Sequence, residues 1–531
     1  MITHILSLLI FLPLVGAGAI LLLPQKYLYK WIAVVFCILE LILAFIIWRE
    51  FQTDAIDKLY NVRFPILEKY DWITLQLGSL GTVSIDYVVG IDGISLPLVM
   101  LSAVVMLIGV LSSWHIAHRQ RAYFSLYLLL TTSIMGCFLA LDFFLFFLFF
   151  EFMLLPMYFL IGLWGGPRRE YASIKFFLYT LLGSVLILLV MIGLYLSVTD
   201  PVESSLTKTL VHTFDLRYMA DGQNYIADSL LTPSGEVYFG GMSSRMWAFW
   251  LLLIGFAIKL PIVPLHTWLP DAHVEAPTPV SVVLAGVLLK IGGYGLLRIV
   301  YPIFPDAASE YAFVVGLLGV ISIVYGGFNA LAQNDLKKMI AYSSVSHMGF
   351  VVLGIASLSA EGLNGAIYQM VSHGILSAML FLLTGVLYDR THNRLIDNYQ
   401  GLLSPMPVFT VLTGVAFFAS LGLPGFSGFV GELFTLMGGF KSSVIPSWLA
   451  AVGILGILLA AGYFLWSLQR MFFGKLWLKN PNDLSQLTDL DPREKLMLIP
   501  LALATLLLGI FPNFLFDKTN QAVEALLSIF V

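Results

Sequence analysis

Charge is scarce in this chain: 11% of its 531 residues are Asp, Glu, Lys or Arg, against about 25% in a soluble domain. Cysteine is scarcer still. Cys37 and Cys137 both fall in apolar runs, and two thiols hold neither an iron–sulfur cluster nor a structural zinc, so packing is their expected role. The formal net charge of −4 gives no electrostatic footprint for nucleic acid. There is no phosphate-binding GxxxxGK[ST] loop, which excludes an ATP-driven pump. Gly16-Ala-Gly18 and Gly293-Tyr-Gly295 are partial dinucleotide patterns inside apolar runs with no strand before them, so that reading fails as well. His266 and His273 stand near Asp271 and Glu275, but without an HExxH pattern and with Pro270 between them no metal site is expected. The first apolar segment has no basic leader or small-residue cleavage site and is expected to be a retained helix.

Apolar length, by contrast, is abundant. The sequence is 59% hydrophobic, with a mean hydropathy of +0.91. Its apolar runs last about 20 residues, enough to cross a hydrocarbon layer of roughly 30 Å. No ten-residue alternation suggests a barrel, so the expected fold is an all-α polytopic membrane protein. About fourteen transmembrane helices are predicted, near 5–23, 31–48, 90–112, 122–140, 143–163, 174–197, 247–265, 280–300, 311–331, 338–358, 364–387, 406–438, 447–470 and 496–515. The stretches 49–85 and 199–245 are the long polar connections, and both contain short strand patterns. Asp92 and Asp335 stand at helix starts, where capping is expected.

Basic residues fix the expected orientation. Lys26, Lys30, Arg119, Arg121, Arg168, Arg169, Lys175, Lys337, Lys338, Arg390, Arg394, Arg470, Lys475, Lys479, Arg493 and Lys495 all fall on one side if the N-terminus lies outside, with only Arg298 and Lys441 in the short external connections. Both termini are then external.

Two helices carry their own breakers. The seventh contains Pro261 and Pro264; the twelfth reads SLGLPGFSGFVGEL, with Gly422, Pro424, Gly425 and Gly428. Such breaks survive at membrane depth where the freed backbone groups meet protein or water. Counting helices 4–8 and 9–13 as units places each break in the fourth helix of its unit. The odd offset of five makes the units inverted repeats, a transporter pattern. The expected divisions are 1–121, 122–300, 301–475 and 476–531, the middle two being the repeats.

Ionisable residues at the bilayer centre cost at least roughly 2.5–3.5 kcal/mol and mark ion pathways. Glu151 lies nine residues beyond Asp142, about 13 Å into its helix. Lys259 precedes the first break, Lys290 is central in VLLKIGGYG, and Glu432 follows the second break. His347 and His373 occupy the middles of helices 10 and 11. Glu40, also intramembrane, matches no other feature and is expected to serve packing or a subunit contact.

The run KLPIVPLHTWLPDAHVEAPTPVSVVLAGVLLKIGGYGLLR, together with IDGISLPLVML, FFEFMLLPMYFLIG, NDLKKMIAYSSVSHMGF and LPGFSGFVGELF, resembles the antiporter-like membrane subunits of respiratory complex I, a superfamily that includes Mrp-type cation/proton antiporters. Glu432 in place of a lysine, and a chain that ends 19 residues after Pro512, match its M-type (chain 4) branch. The resemblance implies a proton-translocating subunit of a bacterial-type NADH–quinone oxidoreductase in the inner membrane. It implies no cofactor in this chain, with FMN and iron–sulfur clusters in other subunits. Expected partners are the neighbouring antiporter-like subunits, lipid, protons and water. Glu151 and Lys259 would form the charged pair of a first half-channel, Lys290 the central relay, and Glu432 the exit; His266, His347 and His373 would support them. The rival is an Mrp-type sodium/proton antiporter subunit. The 199–245 connection is longer than the family pattern and is expected to face a neighbour.

Overall fold

Apolar side chains run unbroken around most of these helices, so each buries itself against others or against lipid. The computed structural model describes residues 4–51, 64–76, 82–233 and 238–530. Among these, eleven helices are long and apolar enough to cross a membrane, or twelve when Pro492–Ile510 and Asn513–Leu527, bent by 65° at their junction, form one span. The two expected broken helices are each cut in half: Ser244–Lys259 with Trp268–Glu275, and Pro407–Ser420 with Ser427–Lys441.

The spans differ in how much they show. Thr278–Ile303 and Ala360–Thr391 are wholly enclosed and Leu336–Ala356 nearly so, whereas Leu28–Glu50, Arg169–Ser197 and Trp448–Phe472 leave more than half their apolar windows facing outward. The enclosed three are the helices that carry Lys290, His347 and His373. Leu336–Ala356 packs between Ala312–Leu331 and Ala360–Thr391, and Ser427–Lys441 lies along the latter.

Two helix boundaries need correction, and both long connections contain short strands as expected. The third helix begins at Ser95 rather than near 90, because Thr82–Ile91 pairs antiparallel with Ile66–Gln76, with Ile66 opposite Ile91, Gln76 opposite Thr82 and a one-residue register shift between Asp71 and Ile73. Val211–His212 adds a third, parallel strand to that sheet. The stretch 49–85 is thus largely a hairpin, although 52–63 and 77–81 lie outside the described residues. The 199–245 connection is likewise structured: Asp200 caps the helix Pro201–Thr207 and Asp215 caps Leu216–Met219, with 234–237 outside the described residues. Finally, the last predicted span stops at Ile510, where Pro512 cannot continue a helix, and an amphipathic helix Asn513–Leu527 follows.

Candidate functional site: a buried polar row between two helix breaks

At the first break the helix Ser244–Lys259 ends with Leu260 N–H on the Phe256 carbonyl, 2.8 Å away. Proline then removes donors, and the freed groups find protein partners. The Trp268 indole N–H donates to the Ile258 carbonyl at 2.8 Å, and Val263 N–H donates to Ser322 Oγ at 3.0 Å. Lys259 is 1% exposed. Its Nζ has no hydrogen-bond partner and lies 5.1 Å from the Phe150 ring centre and 5.6 Å from that of Phe176, an aromatic setting that stabilises a cation in place of water. Glu151 is half-buried, with one carboxylate oxygen unpartnered. The charged pair implied by the resemblance is therefore not a contact ion pair: the two residues lie within electrostatic reach of each other without touching. His266, 3% exposed, sits in the break edge-on to Tyr325 at 5.3 Å.

Lys290 occupies the centre of the enclosed helix, between two π-helical turns, Leu284–Leu288 and Leu296–Val300. Such turns loosen the hydrogen-bond ladder and gather at functional sites. The Lys290 ammonium donates to the Ala285 carbonyl within the first π turn and lies 2.9 Å from His373 Nδ1. With Lys290 charged, Nδ1 accepts and the ring hydrogen resides on Nε2. Glycine permits this approach. A Cβ on Gly374, next to His373, would stand 2.7 Å from the Gly286 carbonyl, so the two backbones meet where a larger residue would hold them apart.

From His373 the row continues to His347, ring centres 5.6 Å apart. His347 Nδ1 then approaches Glu432 Oε1 to 3.0 Å. No hydrogen bond forms at that contact, and both Glu432 oxygens remain unpartnered although the side chain is 1% exposed. A cavity of about 10 Å³ lies among His347, His373, Gln369, Ser420 and Glu432, close to the room one water needs. The second break touches the carboxylate directly. Gly422 has φ +80°, and a Cβ there would lie 2.7 Å from Glu432 Oε2.

Lys290, His373, His347 and Glu432 are thus brought together, while Glu151, Lys259 and His266 form a separate group at the first break. Sequence reasoning missed His273. It is fully buried, stacked on Phe381 at 4.4 Å, with both ring nitrogens unpartnered and both Lys337 and Lys290 within electrostatic reach. Beyond it, a cavity of about 300 Å³ on the side of the basic connections is lined by Glu275, Lys337, Thr384 and Asp389. The signal was present in DAHVEAP, where a histidine precedes a proline-started helix, but its depth was not readable.

Asp335 caps its helix as expected, accepting from Lys337 and Lys338 N–H. Asp92 receives Ile94 and Ser95 N–H similarly, and also binds Arg298 at 2.5 Å. Glu40 is wholly enclosed within this chain. Asp71, Asp86 and Glu203 are a group spaced closely enough for one cation, but Lys69 already stands 2.9 Å from Asp86.

The family model described as "NADH:quinone oxidoreductase/Mrp antiporter, TM" matches residues 140–459, which include both breaks and the whole row. NADH-quinone oxidoreductase subunit M of Rhodobacter capsulatus is 40% identical over 98% of this chain and 96% of that one. Among solved structures, a chain of respiratory complex I from Thermus thermophilus with bound NADH superposes with a TM-score of 0.79 at 28% identity, covering 99% of this chain and 100% of that one. A chain of the Mrp complex from Dietzia sp. shares the fold at TM-score 0.76 and 22% identity, over 99% and 98% of the respective chains. With a match that spans both helix breaks and a relative similar from end to end, the chain belongs to the NADH:quinone oxidoreductase/Mrp antiporter membrane family, in its subunit M branch.

Proposed function

We propose that this chain is a proton-translocating membrane subunit of an NADH–quinone oxidoreductase, driven by redox chemistry in other subunits that hold the flavin and iron–sulfur centres. The observation that carries the reading is the enclosed row from Lys290 through His373 and His347 to Glu432. Each member exchanges a proton, each is buried, and their spacing allows transfer directly or across one water. Lysine hands its proton to the histidine it touches, and the row ends on a carboxylate at a helix break. The aromatic seat of Lys259 and the half-buried Glu151 make a second station at the first break, with His266 beside it. A moderate distance lets a change in one charge alter the other without locking both into a permanent pair.

The finer architecture follows the same reading. Counting each cut helix once, the chain crosses the membrane fourteen times, in two inverted five-helix units within 122–300 and 301–475. The basic connections face the cytoplasm and both termini face outward in a bacterial inner membrane. The chain sits among the other antiporter-like subunits, with lipid around its exposed spans.

Mild-detergent purification tests the assignment. Recovery with flavin- and iron–sulfur-bearing partners, and NADH-driven acidification in sealed vesicles that is independent of sodium, is the expected result. Recovery without them, with sodium-dependent pH changes, would instead make this an Mrp-type antiporter subunit.

A further inference from the structure

The helix that carries Lys290 presents two more polar side chains on nearly the same face, Tyr294 and Arg298, one and two turns farther on. Arg298 is about 12 Å from Lys290 along the helix axis. Its side chain is 11% exposed, and Asp92, its partner at 2.5 Å, is 3% exposed. Arg298 Nε donates to the Tyr294 hydroxyl at 3.2 Å, and that hydroxyl donates to the Phe138 carbonyl at 3.0 Å. Asp92 is pinned by Ile94 N–H and Ser95 N–H. Arg298, Tyr294 and Asp92 each hold at least one hydrogen-bond partner, unlike Lys259 Nζ, the His273 ring and the Glu432 carboxylate.

This cluster stands at a boundary. On one side lies a cavity of about 430 Å³, on the face opposite the basic connections, lined by Asp92, Arg298, Arg217, Asp221 and Leu526 among others. On the other side lie Tyr294, edge-on to Phe138 at 5.3 Å and near Phe146 at 6.5 Å, and then Lys290. A row of exchangeable protons one helix-face away from an open polar cavity would lose its charge there unless something stopped it. A fixed guanidinium is suited to that task. It stays protonated at all working pH values, so it cannot relay, and its charge repels protons and metal cations.

We propose that Arg298, clamped by Asp92 and Tyr294, is an electrostatic plug that closes the outer end of the Lys290 helix to protons and other cations. The inference rests on the proton-row reading above. A purely structural ion pair would not be needed for tightness, and a proton outlet would require a group that can release its proton.

The test uses the purified complex in proteoliposomes, following decay of an imposed pH gradient without NADH and normalising to assembled complex. Arg298→Gln is expected to collapse the gradient severalfold faster than the unsubstituted protein. Adding Lys290→Ala should restore slow decay, because the leak runs through the row. Arg298→His supplies a second route if the glutamine variant fails to assemble. It should seal at low pH, where the imidazole beside Asp92 is charged, and leak at high pH, the switch lying above the free imidazole value because the carboxylate holds the proton on the ring. Slow decay in assembled Arg298→Gln, a leak that survives Lys290→Ala, or a pH-independent leak in Arg298→His would each overturn the plug. Failure of the row itself is read separately, from normal pumping in Lys290→Ala alone.

Discussion

At the first helix break, Lys259 has no hydrogen-bond partner, rests between two phenylalanine rings and does not touch Glu151. At the second, Glu432 stands 3.0 Å from His347, which leads through His373 to Lys290. The same device, a span interrupted by proline or glycine, thus presents one cation without a contact partner and one end of a contiguous row. Such a cation is well placed to be switched by a distant change in field. A contiguous row is well placed to conduct.

The largest effect should come from cutting the row at its head. Moving a charge through mid-membrane without a titratable host costs at least roughly 2.5 kcal/mol, a rate penalty on the order of 10². Lys290→Ala is therefore expected to assemble yet lose nearly all proton pumping per NADH in sealed vesicles. Wild-type stoichiometry would remove Lys290 from the pathway.

At the other end of the row the requirement is a carboxylate and not a particular length. Glu432→Asp should keep a substantial fraction of pumping, its oxygen reaching His347 through one water, while Glu432→Ala should fall close to Lys290→Ala. Equal, near-full activity in both would reassign Glu432 to packing.

The first break should respond more mildly and show the coupling of two groups that act as a unit. Glu151→Gln and Lys259→Met are each expected to reduce pumping, and the double variant to be little worse than the poorer single one. Multiplicative losses, measured on the same vesicles, would show that the two residues serve separate steps.

The smallest effect on pumping lies outside the spans and is read in stability instead. Burial pushes the Asp142 carboxyl up to about 8, with the Leu145 N–H opposing and Asp215 adding to the rise. The unfolded chain releases this proton near pH 4, so the folded state holds one more proton between about 4 and 8 and loses stability as pH rises across that window. Asp142→Asn keeps a helix cap and removes the slope. It should raise the stability of the purified assembly at pH 8 by about 5 kcal/mol, with about half that gain at pH 6. A thermal midpoint that shifts equally at both values would contradict the assignment.

Rarity made much of this legible in the sequence. A lysine in VLLKIGGYG or prolines after Lys259 stand out because their neighbours are apolar, and both breaks lie where proline and glycine place them. What was not legible depends on pairs far apart in the chain. Asp92 looked like a helix cap, and is one, but its salt bridge to Arg298 joins residues that share no local pattern. Strand patterns in 49–85 were legible, but the extent of the hairpin was not: its second strand runs on to Ile91, into the apolar run that was read as the start of the third helix. The separation of Glu151 from Lys259 is a matter of side-chain direction, which helical depth alone does not fix.

The amphipathic helix Asn513–Leu527 has a consequence for how the protein is made. Its Lys518 donates to the Phe51 carbonyl at 2.9 Å, near the end of the second span, and its Thr519 donates to Asn364 Oδ1 at 2.6 Å, on the enclosed span that carries His373. Synthesis runs from the N-terminus, so this helix emerges after everything it fastens. It ties the end of the second span to the enclosed span Ala360–Thr391. Until residue 519 has been made those two hydrogen bonds cannot form, so this link between an early and a late span is set late in synthesis.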